Sequence, residues 1–418
     1  MTPPSTLALF GAGHVCKSLI WSFADLLFGY YAYAYLHLTA ADVGWILAIS
    51  FGYSGVLDVA VAAFLSGRTG YERMVPRLQW IGAACTALSV LALFCPLPLG
   101  ERLLCYWLLA LSIAFRTAYA LYDIAQNALV SLLPRSETEA RRFVTVRTSL
   151  SYGAKILVSL ASFLVIGPGG QTALPLLIIV PVACATLAAA YPMARCHTAA
   201  AVPETPHDGA LAVPLGLLVP ILVAVAAQTC LLGLVGRFLP FMKDPHSGAS
   251  IGALMVLGSV DGGVFGPFLA GRLLRATRGF VAANVGCTCV CMVSAAWMIV
   301  GGDRVQLIAA AAMYSIAGGG LSALVWGQFS AAVRCHAQAT GRRSDLASFA
   351  LLTATIKLGA GGTGLFLGKL LEGFQAQQPS ALGTIVSATL IGGAVSIAAM
   401  GMGHRRIARS VTTVAAPV

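Results

Sequence analysis

Twelve stretches of this chain are each long and apolar enough to cross a lipid bilayer as a helix. A spanning helix needs roughly 20 apolar residues, and candidates lie at 12–38, 42–66, 77–97, 102–133, 143–167, 171–193, 213–240, 249–271, 279–300, 304–333, 346–371 and 380–403. Inside hydrocarbon every backbone N–H and C=O needs a partner within the protein, which restricts such segments to helices. Composition agrees. Of the 418 residues, 58% are hydrophobic and 10% charged, where a soluble domain carries about 25% charged residues. The 45 glycines suit helices that pack backbone to backbone in a membrane. The expected fold class is an all-α membrane protein with twelve transmembrane helices in two six-helix bundles.

The net charge of +11 raises nucleic acid as a partner, but no binding motif accompanies it. The placement of the cations points to a membrane instead. Arg68, Arg73 and Arg77, then Arg135, Arg141 and Arg142, then Arg195, then Arg272, Arg275 and Arg278, then Arg334, Arg342 and Arg343, and finally Arg405, Arg406 and Arg409 fall in alternate loops. The opposite loops hold Arg102, Lys243, Arg304 and Lys369. By the positive-inside rule both termini are expected in the cytoplasm of a multi-pass protein of the bacterial inner (plasma) membrane. The N-terminus shows no basic region ahead of a short apolar run, so no removable signal peptide is expected.

The 11 cysteines lie mostly within apolar segments, without paired spacing in loops, which argues against a disulfide framework. Cys287, Cys289 and Cys291 alternate along one helix and point to different faces, so no zinc site is expected. No phosphate-binding glycine loop and no catalytic motif are present. Neither an enzyme, nor an ATP-driven pump, nor a cofactor or metal centre is expected.

The segment 196–212, with Pro203, Pro206, His207, Asp208 and Gly209, is the longest polar linker. It divides the chain into a six-helix bundle at 1–195 and another at 213–403, with a cytoplasmic tail at 404–418. A weak repeat supports the division: GVLDVAVAAFLSGR at 55–68 is echoed by GGVFGPFLAGR at 262–272. Two halves with repeat character are the signature of an alternating-access transporter with a central cavity.

Ionisable residues within the apolar segments are the functional candidates, because burying them in a membrane is costly. The cations are Lys17, Arg116, Arg147, Lys155 and Lys357, and the acids are Asp25, Asp58, Asp123 and Asp261. Arg116 and Asp123 are seven residues apart and share one helix face, and Arg147 and Lys155 are eight apart. The first half holds four of the cations against three acids. A cavity with surplus positive charge attracts an anion.

Five stretches carry a resemblance to a known family: GAGHVCKSLIW at 11–21, the run from Gly55 to Pro76, YDIAQNALVSLLP at 122–134, the following run to Arg147, and TATIKLGAGGTG at 353–364 with Lys357. They resemble the major facilitator superfamily, and within it the glycoside–pentoside–hexuronide:cation symporters, the melibiose permease family. The resemblance covers most of the first half and is thinner in the second. It implies the major facilitator fold, substrate contact by Asp123 and Arg147, and a helix-two cation site. Asp58 matches the first acid of that site. Its partner position is Ala62, with Val61 between; the helix-four threonine position is Ala120, and the neighbouring glycine position is Arg116. These substitutions remove most of the oxygen ligands that sodium needs. Arg116 is read as a tethered cation pairing with Asp58 in place of the ion. The first-helix sugar-binding acid position is Ser18, beside Lys17, with Asp25 seven residues on.

Two readings stand beside most of these residues. Asp123 and Arg147 either grip substrate hydroxyls or form a structural bridge between helices four and five. Asp58 is either a proton carrier or the fixed partner of Arg116, and Asp25 is the next candidate carrier. Lys17 and Lys155 are cavity groups or snorkel to an interface; the cavity is favoured for Lys155, as a gating residue. Lys357 either exchanges partners between states or pairs permanently. Trp326, near Gln328, and Trp21 are aromatic candidates for substrate stacking. Tyr30, Tyr31, Tyr33 and Tyr35 read as an interfacial belt or packing, and His14 as a residue near the cytoplasmic end of the first helix, on the surface. The expected function is secondary transport of a small polar solute (sugar, glycoside or sugar acid), proton-coupled or uniport rather than sodium-coupled, by a monomer in the bilayer. The alternative is an efflux carrier for drugs, lipids or organic anions.

Overall fold

The computed structural model describes residues 4–66, 71–95, 97–133, 137–166, 174–195, 215–243, 250–259, 262–277, 279–300, 302–340, 345–375 and 379–415. They are almost entirely helical, with thirteen α-helices and no β-strand among the described residues. The chain separates into two compact units, Met1–His207 and Asp208–Val418. The first contains α1 (Pro4–Tyr30), α2 (Ala40–Ser66), α3 (Tyr71–Leu93), α4 (Glu101–Leu132), α5 (Glu137–Ile166) and α6 (Leu174–Met193). The second contains α7 (Leu215–Phe238), α8 (Gly252–Gly258), α9 (Gly262–Thr277), α10 (Phe280–Val300), α11 (Arg304–Thr340), α12 (Asp345–Gln375) and α13 (Pro379–Ala415). Among the described residues, ten helices are long and apolar enough to cross a membrane.

Three boundaries differ from the sequence expectation. The first helix begins at Pro4 and runs on through a π-helical turn, Tyr31–Tyr35. The span expected at 249–271 is two helices, α8 and α9. Glycine is a poor helix former, and Gly262 sits where any Cβ would collide with Ser315. The Ser315 hydroxyl donates to the Ser259 carbonyl at the end of α8. The last helix does not stop at 403 but continues to Ala415, with Arg406 donating to the Gly216 carbonyl. The linker expected at 196–212 and the candidate Asp261 lie outside the described residues.

Helix packing relies on small residues. Gly82 of α3 lies against the main chain of Tyr122 on α4, where a Cβ would come within 2.8 Å of the Tyr122 Cα. In the second unit a Cβ on Gly266 would stand 2.6 Å from the Gly319 main chain. Large apolar side chains point outward along the spans, Trp45, Val56, Leu88 and Tyr106 among them. A bilayer solvates such surface, and water does not.

Candidate functional site

Three polar stripes come together in the first unit, buried around His14, Lys17 and Arg116 and exposed at Lys155. On α1 they are His14, Lys17, Ser18, Trp21 and Asp25, at steps of three or four residues that keep them on one face. On α4 they are Arg116, Tyr119, Asp123 and Asn127, and on α5 Arg147, Ser151 and Lys155. α1 packs against α4, α5 and α6, which brings the stripes together.

At the centre the Lys17 ammonium donates to the Asp123 carboxylate at 2.6 Å, and reaches the Asn127 side-chain oxygen at 3.4 Å. The lysine side chain is 4% exposed and the aspartate 18%. A short, charge-assisted bond of this kind satisfies both ions inside an apolar bundle. The Asp123 partner in this pair is therefore an α1 lysine, where the sequence reading had Arg147 as the candidate bridge. Asp123 keeps part of its surface open to a ligand.

One turn towards the α1 N-terminus lies His14. It is 2% exposed, which corrects its expected surface position. Its Nε2 is 2.7 Å from the Ser151 hydroxyl and 3.4 Å from that of Ser18, while Phe10 stacks on the ring at 6.0 Å. The charges of Lys17, Arg147 and Asp123 act on it. Arg147 itself is half-buried.

In the other direction, Arg116 is 3% exposed and enclosed by rings. Its guanidinium lies 3.7 Å above Phe51, 4.7 Å from Trp21 and 5.5 Å from Phe115. Arginine stacks well on aromatic faces because its charge is weakly hydrated and planar. Trp21 packs on Tyr119 at 4.7 Å, so the tryptophan is part of this cage. Asp58 is buried, 2% exposed, and the Tyr119 phenol lies in the combined field of Asp123, Arg116 and Asp58. Beyond the cage, Lys155 sits above the Tyr152 ring at 5.8 Å and within the field of Asp25.

The scaffold under the site is hydrogen-bonded to the α1 main chain. The Tyr122 hydroxyl donates to the Gly13 carbonyl at 2.7 Å, and Gln126 donates to the Phe10 carbonyl at 3.1 Å and bonds Gln79 of α3. Tyr31 is fully buried on Phe94 and donates to its carbonyl, and Tyr35 donates to the Val165 carbonyl. Those two tyrosines are packing residues. Val61 lines an apolar groove of about 290 Å³ with Ala60, Phe64, Met74, Leu78 and Leu121, so its position presents no oxygen.

The two remaining candidates are in the second unit. Lys357 is 5% exposed on α12, and Trp326 on α11 stacks on Phe349 at 5.9 Å. A cation absent from the sequence reading joins them: Arg237, near the end of α7, donates to the Ala360 carbonyl and, at 2.9 Å, to the Thr363 hydroxyl. Among the described residues no group of His, Cys, Asp and Glu side chains is arranged to hold a metal ion.

Residues 9–209 match the family described as MFS/sugar transport protein. That match spans the first unit and just under half of the chain. Solved structures share its fold along nearly the whole length. The nucleoside transporter NupG superposes with a TM-score of 0.67 at 13% identity, covering 95% of this chain and 98% of that one. A bacterial homolog of the human lysosomal transporter Spinster, inward-facing and unoccupied, gives 0.68 at 12%, covering 98% and 99%. The peptide transporter POT in complex with sulfate gives 0.67 at 12%, covering 97% and 96%. A sequence search among curated proteins found no match. Candidate site residues that the sequence reading did not name are Asn127, Tyr119 and Ser151, and His14 was named but placed on the surface. The only signal available was their three- and four-residue spacing from the charged residues.

Proposed function

We propose that this protein moves a small polar solute of the sugar, glycoside or sugar-acid class across the bacterial inner membrane by alternating access, with both termini cytoplasmic. The observation that carries this reading is the Lys17–Asp123 pair, with Asn127 at its edge. A carboxylate that is 18% exposed beside a lysine and an amide offers acceptors and donors to hydroxyls, and cations to a carboxylate. Arg147, Ser18 and Asp25 extend this set within the first unit; Trp326 and Lys357 in the second are further proposed contacts. The family match in the same half supports a sugar-like solute. The charge-dense stripes weigh against export of apolar drugs, for which an apolar lining is expected.

Coupling is proposed to be to protons, or absent, rather than to sodium. Arg116, held by Phe51 and Trp21 near the field of Asp58, supports a fixed guanidinium in place of a mobile ion. Ala62, Val61 and Ala120 add no oxygen ligand. Lys155, in the field of Asp25, is the proposed gating residue.

Ligand-induced thermal stabilisation of the purified protein tests both parts. Neutral glycosides, hexuronates and organic acids are screened at two pH values with and without sodium. The expected result is stabilisation by a sugar or sugar acid that sodium does not alter. Stabilisation that requires sodium overturns the coupling reading, and stabilisation by apolar drugs alone overturns the solute class.

A further inference from the structure

We propose that His14 carries the coupled proton, and that its charge is linked to an anionic substrate held by Lys17 and Arg147. This rests on the polar-solute reading above and narrows it to an anion. His14 is inside the bundle, 2% exposed, with Nε2 2.7 Å from the Ser151 hydroxyl. A hydroxyl donates to a neutral ring nitrogen and accepts from a protonated one, so Ser151 serves both states. The Arg147 main chain lies close to the ring, yet Nδ1 makes no hydrogen bond of normal geometry among the described residues.

The charges that face this ring are few. Lys17 comes from its own helix, Asp123 from α4 and Arg147 from α5. α3 and α6 also pack on α1, and among the described residues neither contributes a charge acting on the ring. Two permanent cations thus share one carboxylate, which Lys17 already holds at 2.6 Å. The empty site carries one net positive charge. Adding an anion alone removes it, and adding a proton alone doubles it. Adding both restores the starting charge, so a loaded site differs from an empty one by no net charge. That matters in a bundle where moving charge through a low-dielectric interior is costly. The proton adds to a ring nitrogen from water and returns to water when the anion leaves; no other bond changes. By linkage, whatever the anion does for the proton, the proton does for the anion.

The test uses the full-length purified protein with D-glucuronate as the anionic probe and methyl glucoside as the neutral one. Thermal stabilisation reports binding, and a pH dye in weak buffer reports proton uptake. Wild type is expected to take up protons stoichiometrically with bound glucuronate. His14→Gln is expected to bind glucuronate more weakly, without proton uptake and without pH dependence. Ser151→Ala keeps the ring and loses its partner; it is expected to move the pH of half-maximal uptake, and covers the case in which His14→Gln does not fold. Proton uptake by His14→Gln equal to that of wild type overturns the proposal, as does an unchanged uptake profile in Ser151→Ala. Binding of methyl glucoside but not glucuronate overturns it while leaving the polar-solute reading standing. Binding of neither probe overturns the proposal and the sugar class together.

Discussion

The two units of this protein are built from similar apolar helices but spend their polar residues differently. In the first unit His14, Lys17, Asp58 and Arg116 are all buried; among the described residues of the second, Lys357 is the buried Lys, Arg, His, Asp or Glu side chain. The second unit also holds the half-buried Arg237 and neutral pairs such as Gln228 donating to Ser396 at 2.8 Å. Close packing is common to both, through Gly82 in one and Gly266 in the other. The difference teaches that close packing through small residues is common to both units, whereas buried charge is concentrated in the first. Burying charge in an apolar bundle is costly, which makes these residues the candidates for function.

Four comparisons of variants break or sharpen this contrast. The largest effect is expected from Arg116→Ala. It empties the Phe51–Trp21 cage and leaves Asp58 in an uncompensated field, for a loss of about 3 kcal/mol or more. Thermal unfolding in detergent measures it, and adding Asp58→Asn is expected to restore part of the loss. A double variant no more stable than Arg116→Ala means that the two residues are not coupled. Next, Asp123→Asn is expected to weaken substrate binding about 10- to 100-fold, the worth of one charge-assisted hydrogen bond of about 1.5–3 kcal/mol, and to lower stability as well, since the buried Lys17 loses its counter-charge. A titration of the best ligand from the stabilisation screen reads it.

Packing comes third. Gly82→Ala and Gly266→Ala are each expected to cost about 1–3 kcal/mol, since a methyl meets main-chain atoms that cannot rotate away. Gly271→Ala, with open space around it, serves as the neutral control in the same unfolding assay. Equal losses in the two units sharpen the view that packing is what they share. The smallest effect is expected from Lys357→Gln, a reduction in transport of about tenfold or less, one hydrogen bond of about 1.4 kcal/mol. Abolition of transport as complete as with Asp123→Asn breaks the contrast and makes the second unit an equal partner in recognition.

Much of the site was legible one helix at a time. The spacing of Arg116 to Asp123 placed that pair on a single face. The errors came where distance along the chain misled. His14 read as a terminal residue because the apolar run starts near residue 12. The helix starts at Pro4, so about 15 Å of helix at 1.5 Å per residue separates His14 from its end. Ser259 to Gly262 read as the middle of one span, because hydropathy does not register a serine hydroxyl from α11 arriving at a helix end. Arg237 drew no reading from the sequence; only the structure shows its acceptors on α12.

Sequence alone determined that this chain forms apolar membrane helices and, for most of them, which segment each occupies. Transfer of side chains from water to hydrocarbon is a local and nearly additive quantity, so it can be summed along a chain. The tertiary structure alone decided which charge meets which: Lys17 on Asp123, His14 on Ser151, Arg116 between Phe51 and Trp21. A buried ion is stabilised only by groups within a few ångströms, from helices 100 or more residues apart in sequence, and packing rather than periodicity brings those helices together.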